Sequence, residues 1–297
     1  MKIQTGLRTK LFRDPRNLSR SKRFGAPVNT ALIPANFDLY PDAEVLDQVG
    51  STCTAFACKV ASDRQEGIKQ SPEYAFYKTR VLEGGNPHKW GADINDALRA
   101  WCKYGGIATE DSPYNFHEHG QEYIEDPKNW SEYSHLDAKA AEHKKKAYMD
   151  ADGYSSMYNS IRATMWESFQ KYDITKNPSD LRLVIVGLYW QPGWELHKDG
   201  VLDIGSLDKS MPHLLVARGC AEKLGSSRII LHNSFGKFYG DNGLFYASES
   251  VINKYAFEAK VFEDIDPEEL KKLQWSFIAI LYNYIKLLQT YLKTVVR

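Results

Sequence analysis

The chain has 297 residues, of which 38 are Lys or Arg and 38 are Asp or Glu, so its formal net charge is zero. A balanced charge gives no global attraction to nucleic acid or to an anionic membrane surface. Four cysteines, Cys53, Cys58, Cys102 and Cys220, are too few and too scattered for a disulfide scaffold, and no Cys-x-x-Cys pair marks a zinc site.

In chain order, residues 1–31 read as a basic arm, with Arg8, Lys10, Arg13, Arg16, Arg20, Lys22 and Arg23 recurring outside any apolar period. This suits a flexible or surface-hugging segment, and it contains no apolar run of the signal-peptide kind. Ala55, Phe56, Val60 and Ala61 predict a largely buried helix over residues 54–65. Two further amphipathic helices are expected over 73–82 and 94–104, separated by the turn-forming Gly84-Gly85-Asn86-Pro87. Residues 116–146 are polar and mixed in charge, as an insertion or irregular stretch would be. Their histidines His117, His119, His135 and His143 lack metal-ligand spacing. A helix over 157–169 precedes strands at 183–189, 213–219, 228–233 and 243–246. Helices first and strands later imply an α+β fold.

The tail, 266–297, reads as an amphipathic helix opened by Asp266-Pro267-Glu268-Glu269, whose acidic residues suit a first helical turn. Trp275, Phe277, Ile278, Leu281, Tyr282, Ile285 and Leu288 supply a broad apolar face. Polar residues recur too often for a comfortable membrane span, which needs ~20 mainly apolar residues. Packing against a protein surface is therefore preferred over contact with a bilayer, and the helix is read as an attachment to an assembly partner.

The chemistry of the chain rests on three separated residues. Cys53, in Asp47-Gln48-Val49-Gly50-Ser51-Thr52-Cys53-Thr54, stands where a turn gives way to a helix. A thiol at a helix N-terminus lies at the positive end of the macrodipole, which favours the thiolate. His213 opens the apolar strand that follows Met211-Pro212, and Asn233 ends the strand Ile229-Ile230-Leu231-His232. Alone, Cys53 reads as a small buried residue and His213 as a core histidine. Cys, His and Asn in this order form one of the nucleophilic constellations used for acyl transfer.

The surrounding motifs resemble those of the papain-like cysteine peptidases. Gln48, Cys53, His213 and Asn233-Ser234-Phe235-Gly236 match that family's ordered signatures, and Tyr239-Gly240-Asp241-Asn242-Gly243-Leu244-Phe245-Tyr246 resembles the Trp-Gly-x-x-Gly-Tyr strand that follows them. Ser71-Pro72-Glu73-Tyr74 resembles the entry to the family's second helix, and the likeness runs from about Ile33 to Phe262. The departures are specific. Gln48 lies five residues before Cys53, one fewer than usual. Phe235 stands where tryptophan is usual, and Pro212 where glycine is.

The resemblance implies a two-lobed fold, with a helical lobe over 38–160 and an antiparallel β-barrel lobe over 161–265. Together these make a peptidase domain spanning 32–265, to which the C-terminal helix at 266–297 is added. It implies a Cys53–His213–Asn233 triad acting through an acyl-enzyme, an oxyanion hole from Gln48 and the Cys53 backbone, Phe235 as an aromatic shield, and a peptide or protein substrate. No cofactor or metal is expected. The alternative is a papain-like structural or binding module of a larger assembly with little or no protease activity. With no disulfide pattern and no signal peptide, an intracellular setting is expected, either cytoplasmic or in an intracellularly assembled particle.

Overall fold

Small side chains and one internal ion pair shape the central helix. In the computed structural model, α1 (Cys53–Glu66) is buried on nearly every side, only Arg64 and Glu66 being partly exposed. Cysteine and alanine let neighbouring elements approach closely, and the interior Lys59 is neutralised one turn on by Asp63 at 2.5 Å. Gly67, with φ of 70°, ends the helix in the left-handed conformation and returns its N–H to the Asp63 carbonyl. The structure describes residues 7–8, 17–19, 28–84, 91–113 and 115–263. The helix expected at 266–297, and most of the basic arm at 1–31, lie outside them.

Two short strands of the arm are described, β1 (Leu7–Arg8) and β2 (Asn17–Ser19), followed by β3 (Phe37–Asp38). After α1 come α2 (Pro72–Leu82), β4 (Ala92–Asp93) and α3 (Ile94–Lys103). Pro72 occupies the first turn of α2, where its missing N–H costs nothing. Asp93 caps α3 by accepting from the N–H groups of Asn95 and Asp96. The polar stretch that follows folds into single turns, including α4 (Gln121–Glu125) and α5 (Asp137–Ala140). Next are β5 (Ala147–Asp150), α6 (Met157–Thr175), β6 (Val184–Tyr189), β7 (Pro212–Lys223), β8 (Ser226–His232), β9 (Leu244–Ala247), α7 (Glu249–Tyr255) and β10 (Ala256–Glu263).

The polar stretch is fastened to α2 by buried polar contacts. Glu73 accepts from Tyr133 Oη at 2.7 Å and from the Asn115 N–H at 2.8 Å. Lys78 pairs with Asp137, and Arg80 with Glu83 and Glu125.

The main sheet has the strand order β2-β5-β10-β6-β7-β8-β9, with β3 added to β7. All its pairings are antiparallel except β2 with β5. The β-barrel expected from the resemblance is not formed: β2 and β9 end the path and do not pair, so the sheet is open. Closure requires every strand to be paired on both sides. The outer edge of β9 is instead taken by the segment at 200–202, where Tyr246 N–H donates to the Gly200 carbonyl at 2.8 Å and Leu202 N–H to the Tyr246 carbonyl at 3.1 Å. Covering an edge with irregular backbone satisfies its donors without a further strand. The fold is thus α+β, a helical part packed on an open, mostly antiparallel sheet, with α1 lying against β6, β7 and β10.

Candidate active site

The site is built where β7 begins and β8 ends. Antiparallel register places Leu188 opposite His213 and Tyr189 opposite Pro212, so His213 sits at the start of its strand. Asn233 follows β8 directly, held by its N–H to the Gly243 carbonyl at 3.1 Å. His213 and Asn233 are both buried, and His213 Nε2 lies 2.8 Å from Asn233 Oδ1. That amide oxygen also accepts from the Ser234 N–H at 2.7 Å, which orients it.

An amide oxygen only accepts, so Nε2 carries the ring proton and Nδ1 keeps its lone pair. Nδ1 is buried with no hydrogen-bond partner among the described residues. Burying such an atom costs roughly 1–3 kcal/mol, which marks the position for explanation. Burial pushes the His213 pKa down to about 4, only partly offset by the bond to Asn233. At neutral pH the imidazole is therefore an uncharged proton acceptor.

Two aromatic rings confine it. Phe235 stacks on His213 with centroids 4.5 Å apart and planes at 19°. Trp190 meets the same ring edge-on at 5.7 Å and 80°, and meets Phe235 at 5.4 Å and 89°. Phe235 is where the sequence places the aromatic cover. No motif in the sequence points to Trp190, which lies just past the expected strand at 183–189; the pairing of its N–H with the Met211 carbonyl, at 2.9 Å, brings it beside His213.

Cys53 is the first residue of α1 and is buried at the head of the helix that packs on the His213 strand. The preceding Thr52 makes no side-chain cap; its hydroxyl donates instead to the Val49 carbonyl at 2.9 Å. The loop carrying Gln48 is tied to the Asn233 segment by main-chain bonds, with Gln48 N–H to the Ser234 carbonyl at 2.7 Å and Gly236 N–H to the Leu46 carbonyl at 3.2 Å. Gln48 Oε1 accepts from Ser234 Oγ at 2.5 Å, and its Nε2 donates to the Gly50 carbonyl at 2.7 Å. The structure therefore joins His213, Asn233 and Phe235 in one contact set and links Gln48 to it through Ser234. The amide donor of Gln48 is turned onto its own loop.

Cys58 and Cys220 are buried as well. All four cysteines are free thiols. Burial, with Cys102 and Cys53 adding to it, pushes the Cys58 thiol far up, and burial raises Cys220 as well. Both stay protonated at neutral pH and are poor nucleophiles. His232 lies on β8 beside Asn233 but faces Arg218, its Nδ1 3.3 Å from Nη1. Burial, with Arg218 and Lys59, lowers its pKa to about 3. Among the described residues no group of three or more His, Cys, Asp or Glu could hold a metal ion, and no helix is long and apolar enough to cross a membrane.

No protein-family model and no curated protein sequence matches the chain. Solved structures do match. Xylellain, a cysteine protease from Xylella fastidiosa, superposes with a TM-score of 0.64 at 18% identity, over 89% of this chain and 99% of its own. Procathepsin B from Trypanosoma congolense gives 0.58 at 13% identity, over 88% and 85%. Digestive procathepsin L 3 from the larval midgut of Tenebrio molitor gives 0.55 at 16%, over 84% and 76%. Identities this low speak for the fold alone, and that fold is the papain-like one.

Proposed function

We propose that the chain is a cysteine-type peptide or amide hydrolase with Cys53 as nucleophile, His213 as base and acid, and Asn233 as the group that orients His213. The observation that carries this reading is the His213–Asn233 contact of 2.8 Å, which leaves a buried, bare Nδ1 on the strand against which the Cys53 helix packs. Nδ1 takes the Cys53 thiol proton, and the thiolate adds to the substrate carbonyl carbon. The tetrahedral adduct collapses with cleavage of the C–N bond, and the imidazolium returns its proton to the leaving amine. Water, deprotonated by the same nitrogen, then cleaves the thioester and regenerates the thiol. The Cys53 N–H at the uncapped head of α1 and the Gln48 amide would hold the oxyanion; loss of one such donor costs about 2.7–4 kcal/mol in a comparable hydrolase.

A peptidyl epoxide tests the reading. Covalent capture of wild type at Cys53, with no capture of Cys53→Ala and loss of peptide hydrolysis in that variant, is the expected result. Absence of capture in the folded wild type would sink it.

A second reading, a papain-like binding module with little activity, draws on two observations. Cys53 and His213 are both fully buried, and the Gln48 amide donates to Gly50 within its own loop. A folded protein that binds peptides but shows no Cys53-dependent turnover would favour it. The four free thiols suit a reducing, intracellular setting, and attachment of the domain to an assembly through 266–297 belongs to the same proposal.

A further inference from the structure

We propose that Trp190 is a positioning residue for His213, a second wall that fixes the imidazole plane where the covering aromatic is only a phenylalanine. Its part in catalysis rests on the hydrolase reading; its contact with the ring does not. One hydrogen bond at Nε2 anchors a point on the imidazole and leaves the ring free to swing about its side-chain bonds. Phe235 covers one face, but its ring is smaller than the tryptophan usual in the motif it occupies, so it covers less of the imidazole. The Trp190 indole abuts both the imidazole and the Phe235 ring edge-on, wedging the pair from one side.

Trp190 can act as a wedge because it is itself held. It is fully buried, its indole N–H donates to Glu195 Oε2 at 3.3 Å, and its ring packs edge-to-face on Phe245 at 5.0 Å and on Trp194 at 5.4 Å. Trp194 is fixed in turn by its N–H to Asp203 Oδ1 at 3.0 Å and by the Tyr255 ring at 4.9 Å. The segment from 190 to 203 thus forms a brace running from the sheet to the imidazole. Edge-to-face aromatic contacts of this kind have a preferred geometry, so the brace restricts orientation as well as filling space. Around the rings that confine the imidazole, the titratable groups are Tyr239 beyond Phe235 and Glu195 beyond the indole. Burial, with no charged neighbour contributing, sets the protonation of His213.

The test uses the full chain carrying Trp190→Leu or Trp190→Phe, each checked for folding by circular dichroism. Ring nitrogens of His213 are followed by NMR, and Cys53 alkylation by iodoacetamide is measured as a function of pH. For Trp190→Leu, exchange of the Nε2 proton should speed up by about tenfold or more, as for a locally opened hydrogen bond. The His213 pKa should move from about 4 toward 6.5. Trp190→Phe should fall between Leu and wild type, and the alkylation profile should follow the same order. A folded Trp190→Leu protein with unchanged proton exchange and unchanged titration overturns the proposal. If the Leu variant does not fold, the Phe variant decides alone: exchange faster by about threefold supports the brace and unchanged exchange removes it. Failure of the hydrolase reading is seen separately, as wild-type hydrolysis that survives Cys53→Ala, and it leaves the NMR outcome to be scored on its own.

Discussion

An imidazole bonded through one nitrogen and bare at the other is unfavourable to bury, and the pH dependence of stability should register it. The ordinary His pKa is 6.5, whereas burial holds His213 at about 4 in the fold. As pH falls from 6.5, the unfolded chain takes up a proton that the folded chain refuses. The contribution is therefore complete above pH 6.5 and is lost between 6.5 and about 4, amounting to at most ~3 kcal/mol. His232, lowered to about 3, adds in the same direction. Asp63 and Asp93, raised to about 6 by burial, act oppositely: their contribution is present at low pH and is lost as pH rises from 3.8 to 6. Comparing wild type with His213→Gln isolates the His213 contribution. Denaturant unfolding from pH 4 to 7 should show a shallower rise in the variant, and identical slopes would mean that the imidazole is not sequestered as described. At this scale the contacts of His213 with Asn233 and Phe235 were readable, because these residues sit in contiguous motifs. Those of Trp190 were not, because its partners come from a register between strands.

At the scale of elements, the pairing of β7 to β8 shifts register between Ala217 and Gly219, and β3 pairs with β7 at Gly219 and Cys220. A Cβ built on Gly219 would lie 2.0 Å from the Phe37 carbonyl oxygen. Gly219→Ala must therefore push two strands apart; the expected loss is about 3 kcal/mol, seen as a fall in Tm of roughly 5–10 °C. A second element-level prediction concerns Arg80, buried at the end of α2. Its guanidinium donates to Glu83 at 2.8 Å and to the Gly91 carbonyl at 2.6 Å, pairs with Glu125 at 3.1 Å, and lies over the Trp130 ring. Arg80→Met leaves Glu83 and Glu125 without this cation and should destabilise by about 3–5 kcal/mol in denaturant unfolding. Unchanged stability would show that other groups neutralise both carboxylates.

The amphipathic helices and the strands β6 to β9 were legible because their apolar residues are regularly spaced. β5 and β10 were not, although β10 lies inside the sheet, because Asp150, Lys260 and Glu263 read as surface residues. In the fold Lys260 pairs with Asp150 and Glu258, and Glu263 with Arg182 at 2.7 Å. Pairing of this kind cannot be seen in a hydropathy pattern.

Across the whole molecule, the open sheet explains how a papain-like fold is completed here without a barrel. The β9 edge is sealed by the 200–202 backbone, and β10 fills the interior between β5 and β6. The last described strand, β10, buries Val261, Phe262 and Glu263 at its end, so the core incorporates the chain up to that point. An apolar core drawn from residues 39–262 accounts for the helix-to-sheet packing, from Leu39 through Phe56, Trp101 and Ile185 to Phe262. If 266–297 is an attachment helix, as its composition suggests, its removal should not be felt there. A chain ending at residue 265 is expected to keep its stability within about 1 kcal/mol, a Tm shift of no more than about 4 °C for a domain of this size. Epoxide capture at Cys53 should be unchanged. The lost property should be association, read as a smaller hydrodynamic radius than the full chain shows at the same concentration. A truncated protein that fails to fold, or that melts more than about 10 °C lower, would mean that the tail belongs to the core of this domain. The division at residue 265 would then have to be abandoned.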